Sequence, residues 1–382
     1  IQISDTIIRD ANDVGISVVS SGATRVLENV QIKTTECMNV AGSDVVFAGT
    51  DGAGAGIGCG VVRNIEIDGV QFAGQRSTPD LLFPFVIGVQ VCGGLVTENV
   101  TITNVGTRQV PNAGLNTRSV QCTSQDDEVS WEGLTFANLE LGTVTSNDPL
   151  ENLFVSGRNI NGVSLTNVKI NGLRGIRLLD CSNVTMSNVS LFDGQCLIIG
   201  SSRDLFNYQF SGCNFTRTTG FQAPLQFSSG AARNFSRVMI QGGVLNGNGV
   251  PIGVALGGGT MQMWLANIEN TSLANPTAET LAGIVRVKNV RGFIVPVTIA
   301  VPVPLLAAGV TAYVLVPLAG TRLADMAVGE NLSCNPGAQV AAAGAGAGFY
   351  VNARIQAAGV AELLFSGATA AANVNFHFDR VD

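Results

Sequence analysis

The chain has 382 residues, a formal net charge of −7 and a pI near 4.8, and no run of Lys or Arg occurs along it. That argues against nucleic acid and against an anionic membrane surface as partners. Hydrophobic residues reach 46% while aromatics are only 6%, so the core is expected to hold many small and β-branched side chains, which suits stacked strands joined by tight turns. A mean hydropathy of +0.33 leaves apolar surface for partner subunits to cover.

From its first residues the chain shows a strand-like pattern without an initiator Met, and it reads as part of something longer. One short unit then recurs, reading Asn-apolar-polar-apolar. It occurs as Asn29-Val30-Gln31-Ile32, Asn64-Ile65-Glu66-Ile67 and Asn99-Val100-Thr101-Ile102. Gly133-Leu134-Thr135-Phe136, Gly162-Val163-Ser164-Leu165 and Asn183-Val184-Thr185-Met186 continue it. Asn207-Tyr208-Gln209-Phe210 and Arg237-Val238-Met239-Ile240 are looser copies. Successive starts lie roughly 21 to 35 residues apart, a solenoid signature.

Alternation with period 2 makes each unit a strand with one buried face, so Val184 and Met186 point inward and Thr185 and Ser187 outward. A second strand follows at once in several units, as in Asn188-Val189-Ser190-Leu191 and Asn167-Val168-Lys169-Ile170. The Asn or Gly between strands accepts left-handed backbone angles and turns the chain sharply. No coil can bury its inner face alone; stacking the coils makes one continuous core. Residues 1–295 are therefore predicted to form a single-stranded right-handed parallel β-helix of roughly nine or ten coils, a rod on the order of 45 Å long. A β-sandwich is the alternative, but hairpin turns at every strand end are missing.

The early coils carry excursions at Thr50–Gly60, Gly74–Pro84, Gly106–Arg118 and Thr143–Asn152, and such loops often bind ligand. The Gly-rich stretch Gly49–Gly58 lacks the Lys-Ser/Thr end and the following helix of a phosphate loop. Among the eight Cys there is no CxxC pair, so a zinc or redox site has no support and no metal or cofactor is expected. Free buried thiols fit folding in a reducing cytosol before release. Cys92, Cys122 and Cys181 each close an apolar strand, which suggests a stacked Cys row. The apolar stretch Phe293 to Leu318 is broken by Pro296, Pro302, Pro304 and Pro317 and reads as strands, not a membrane span.

Beyond Pro296 the repeat stops. Strands at Val297–Val301, Thr311–Val316, Phe349–Ile355, Val360–Phe365 and Asn373–Phe378 alternate with Gly and Pro turns. Residues 296–382 are predicted to form a small antiparallel β-sandwich that caps the open end of the β-helix.

The Asn-Val-x-Ile corners resemble the pectate-lyase-like superfamily of right-handed parallel β-helices. The tail carries Val316-Pro317-Leu318-Ala319-Gly320, Val328-Gly329-Glu330, Ala353-Arg354-Ile355 and Phe376-His377-Phe378. It resembles a small β-sandwich common at the C-terminus of phage tail spikes and fibres, with Glu330 in place of Asp and Leu318-Ala319 inserted. The resemblance implies a homotrimer of parallel β-helices with the sandwiches at the tip. It also implies a place on the virion, with assembly in the host cytoplasm, contact with other virion proteins through an N-terminal part outside this chain, and a host-cell polysaccharide or other receptor as target.

Many members of this fold cleave polysaccharide, which needs two carboxylates at one glycosidic bond or a base with a neutralising cation. The candidates are Asp126, Asp127 and Glu128, with Asp148 and Glu151 one loop later and Asp180 and Asp193 on neighbouring coils. Trp131 beside the acidic run is placed to stack on a sugar ring. Acidic residues in turns are, however, usually only solvated. Polygalacturonase-like members use paired Asp, a Gly-His-Gly and an Arg-x-Lys; here the one His is His377, outside the β-helix, and Arg174-Gly175-Ile176-Arg177 is not that motif. His377 reads as a surface or interface residue. The reading favoured is a non-catalytic receptor-binding spike. The alternatives are a spike that depolymerises polysaccharide and a bacterial adhesin or passenger domain.

Overall fold

The computed structural model describes residues 1–268 apart from 10–14, 21, 23, 41–43, 51–59, 76–84, 109–115, 125–129, 142–151, 173–174, 218–222 and 248–251. Beyond these it describes 284–288, 297–303, 311–318, 331–336, 349–357, 360–367 and 372–380. All described elements are strands, and they divide into two compact units, one over residues 1–283 and 289–293 and one over 284–288 and 294–382.

The coil from Ile176 to Phe192 shows how the sequence winds. Ile176–Asp180 lies on what we call the third wall, followed by a short edge at Cys181 and Ser182. Asn183, at φ 53°, makes the first corner, and Val184–Ser187 forms the first wall. Asn188, at φ 55°, makes the second corner, and Ser190–Phe192 forms the second wall. The next coil re-enters the third wall at Cys196.

Every wall pairs in parallel with the same wall of the next coil, so the units are rungs of a right-handed parallel β-helix and not hairpins. On the first wall one inward column runs Ile3, Ile32, Ile67, Ile102, Phe136, Leu165, Met186, Phe210, Ile240 and Leu265, which makes ten described coils. At about 4.8 Å per coil that column is ~43 Å long. The third wall has a matching column from Val18 through Val91, Val155 and Ile198 to Val254.

The corners explain the Asn-rich repeat. First-corner residues with positive φ are Asn29, Asn64, Asn99, Gly133, Gly162, Asn183, Asn207 and Arg237. Their side chains also bond along the axis: Asn64 donates to Asn29 at 3.1 Å, and Asn207 to Asn183 at 2.7 Å. A second ladder joins the other corner, with Asn138, Asn167 and Asn188 each donating to the preceding corner Asn at 3.2, 3.1 and 2.8 Å. Each amide thus fixes a backbone angle and ties one coil to its neighbour.

The large rings gather at one level. Tyr208, Phe210, Phe215, Phe227 and Phe235 are buried together with ring centroids 5.6 to 6.5 Å apart, so the core on these coils is filled by aromatic edges and faces. The six described free Cys are all buried. Cys92, Cys122 and Cys181 do not share one column: Cys92 is in register with Thr123, Cys122 with Val91 and Val155, and Cys181, on the edge, with Ile160. Strand ends recur in sequence, but the side-chain columns they feed differ.

The second unit holds two three-stranded antiparallel halves. One has the order Val297–Val303, Ala372–Arg380, Asn331–Pro336; the other Phe349–Ala357, Val360–Gly367, Thr311–Pro317. They are linked through the pairs Asn331–Arg354 and Leu332–Ala353. Val301, Val316, Ile355, Leu363 and Phe365 are buried here, and Arg354 pairs with Glu362 at 2.7 Å across two strands.

Candidate functional site

Asp126, Asp127, Glu128, Asp148 and Glu151 lie outside the described residues. The described strands that flank them, Asn116–Ser124 before the first group and Leu153–Asn171 after the second, both contribute to the third wall. His377 lies on an antiparallel strand in register with Thr298 and Asn335.

Trp131 corrects the sequence reading. It is only 1% exposed and stands between Thr97 and Ile160 in an inward column, both of them buried as well. Its indole lies against Gly93, where a Cβ would overlap the ring. A ring so enclosed cannot stack on a sugar. Asp180 is also buried. Its carboxylate accepts from the Ser201 backbone N and Oγ at 2.6 Å each and from Ser202 Oγ at 2.9 Å. That satisfaction suits a structural latch rather than a general acid. Asp193, at φ 58°, follows the second wall and is separated in the coil from Asp180 by both corners.

A different surface has the chemistry of a binding site. On the outer face of the first wall the outward column runs Gln31, Glu66, Thr101, Thr135, Ser164, Thr185 and Gln209, and then becomes Met239 and Trp264. Met239 and Trp264 are register partners on adjacent coils, about 4.8 Å apart in backbone. Val238, Ile240, Met263 and Leu265 are buried, and alternation turns Met239 and Trp264 outward. Met239 is 47% exposed, Phe206 just across the first corner is 42% exposed, and Trp264 is half-buried.

Exposed amides rim this platform at Gln209, Gln241 and Gln262, and the exposed Arg237 stands at the corner beside it. An indole ring and a thioether offer a flat apolar face, and amides supply both donors and acceptors. This is the combination that holds a sugar, whose ring faces are apolar and whose rim is hydroxyl. Charge also separates along the rod. Outward charges of the first wall and its edge, namely Glu28, Lys33, Arg63, Glu66, Asp68, Glu98 and Glu132, all lie on the second to fifth coils. A shallow polar groove of about 690 Å³ on those early coils is lined by Asn29, Gln31, Asn64, Glu66, Asn99 and Thr101. Glu66 is engaged there by Lys33 at 2.8 Å and Gln31 at 2.9 Å, and no aromatic ring lines the groove.

Near the platform Asp204 is exposed and accepts from the Asn234 backbone N at 2.8 Å and Nδ2 at 3.0 Å. The backbone hydrogen bond from Asn234 comes first in holding its carboxyl below the usual aspartate range, followed by the Asn234 amide. Among the described residues no group of His, Cys, Asp and Glu is arranged to hold a metal.

Stacked coils, corner ladders and parallel walls make this chain a parallel β-helix protein with a small antiparallel β domain. No family model matches it, and no curated protein matches it. Among solved structures it is similar to the tailspike protein gp49 from Pseudomonas phage LKA1, with 12% identity over 99% of this chain and a TM-score of 0.27. It is likewise similar to the tailspike gp61 of Pseudomonas phage phi297, with 11% identity over 92% of this chain and a TM-score of 0.26. The chain spans 66% of the length of each.

Proposed function

We propose that the chain is a virion surface spike or fibre that attaches to a host-cell glycan through the outer face of its first wall. The observation that carries this reading is the Met239–Trp264 platform, an outward apolar pair at the end of a column whose other members, from Gln31 to Gln209, are polar, rimmed by Gln209, Gln241 and Gln262. A rigid sheet holds such a platform at fixed spacing, which limits the entropy lost when a flexible polymer docks. The buried free thiols support folding in a reducing cytosol, and the surplus of apolar residues supports a homotrimer. Binding without cleavage is favoured because the described outward positions around the platform bring no carboxylate pair to it.

The test is to incubate the purified chain with host envelope polysaccharide, measuring capture together with release of reducing ends or unsaturated sugar. The expected result is capture without product, weakened roughly tenfold or more by Trp264→Ala. Product formation would make the protein a depolymerase, and capture indifferent to Trp264→Ala would remove the platform from the mechanism.

A further inference from the structure

Arg237 breaks the rule of its corner. Every other first-corner residue with positive φ is Asn or Gly, while this coil places Arg237 at φ 55°. Asn suits that conformation and extends the amide ladder; Arg does neither, since a long side chain in the left-handed region is disfavoured. Local stability does not explain the choice. What the substitution adds is an exposed guanidinium two residues before Met239 and on the coil next to Trp264.

We infer that Arg237 makes the platform selective for an acidic glycan, a sugar whose carboxylate or phosphate meets the guanidinium while its ring lies on Met239 and Trp264. The inference rests on the platform being the glycan site. Guanidinium presents a planar fork of donors that matches either anion. The setting favours it although the whole chain carries −7. Glu132, the last outward carboxylate of the first wall and its edge on the early coils, is four coils from Arg237, about 19 Å or some two screening lengths at physiological salt. Asp204, the described carboxylate near the platform, is held by Asn234 with Arg233 beside it. An anion approaching Arg237 therefore meets an attractive local field on an otherwise acidic protein.

The experiment titrates the full chain with a hexuronate oligosaccharide and its carboxyl-reduced neutral counterpart, and with a phosphate-bearing oligosaccharide and its dephosphorylated counterpart. The expected result is at least a tenfold preference for one or both acidic members, shrinking as salt rises. Arg237→Asn, the residue that the corner otherwise uses, should fold normally and bring the ratio of acidic to neutral affinity close to one. An absence of preference in the unmodified chain, or a preference that survives Arg237→Asn, overturns the inference. Trp264→Ala separates the two levels: if it weakens acidic and neutral ligands alike, the platform stands whatever Arg237 does. If it weakens neither, the platform reading itself falls.

Discussion

The Arg203 guanidinium donates to the carbonyl oxygen of Ile160, 43 residues earlier, at 2.8 Å. The same Nη2 donates to the Asp180 carbonyl at 2.9 Å, and Nη1 bonds Asn159 Oδ1. One side chain thus clips three successive coils, and Asp180 answers by accepting from Ser201 and Ser202 just before it. Removing either half leaves buried polar groups unpaired. Asp180→Ala, which also places Ala at φ 53°, should cost about 3 kcal/mol, and Arg203→Ala about 2 kcal/mol. Asp180→Asn should cost less, because Asn tolerates the angle. Denaturant unfolding of the three variants checks the order.

The corner ladders predict a split between conformation and bonding. Asn167 stands at φ 54°, donates to Asn138 and accepts from Asn188. Asn167→Gly keeps the angle and loses only exposed amide bonds, so it should cost about 0.5 kcal/mol; Asn167→Ala loses both and should cost about 1–2 kcal/mol. Equal melting points for the two variants would show that the ladder, not the angle, matters.

Trp131 and Gly93 are coupled by shape. Gly93→Ala drives a methyl into the indole and should cost about 1–3 kcal/mol. Shrinking the ring with Trp131→Phe should recover part of that loss, giving a coupling energy of about 1 kcal/mol in a double-mutant cycle. Additive effects would mean that the two do not touch in solution.

Burial should also silence the cysteines. It pushes the Cys37 and Cys213 thiols from the ordinary 9.0 up to about 11, and raises Cys122, Cys181 and Cys196 as well. At pH 8 about one in a thousand of the Cys37 and Cys213 thiols is ionised, so site-resolved alkylation should be negligible until denaturant is added. The folded state prefers the protonated thiol. Its contribution to stability is therefore full below pH 9 and is lost as pH rises from there through about 11. A melting temperature that rises above pH 9 would contradict this.

Much of the winding was legible because period 2 and corner Asn are local signals. Val184, Met186 and Thr185 lie where alternation put them, and Asn29, Asn64 and Asn99 are corners at φ 54° to 55°. Trp131 was read only from its place beside the acidic run, and the corners supply the reason that it faces inward. Leu134 and Phe136 face inward at even positions, but the Gly133 corner shifts the parity, so the odd position 131 before it faces inward too. Alternation read across a corner gives the wrong face. The platform was readable in principle: Met239 and Trp264 are apolar at positions that Val238, Ile240, Met263 and Leu265 make outward. At the loose copy the first-corner residue is Arg237, where the other first corners with positive φ carry Asn or Gly. The distribution of Cys among columns had no local signal, because it depends on how each coil closes.

The Asn167-to-Asn188 step of 21 residues makes length itself an adjustable property. Leu165 and Met186 share a column, as do Leu153, Ile176 and Cys196, so each coil presents its successor with the same kind of surface that it receives. Excising residues 167–187 would join Thr166 to Asn188 and bring former second neighbours into contact, shortening the shaft by about 4.8 Å while every remaining rung keeps a partner. A protein made this way can be cut or extended like a ladder, one rung at a time.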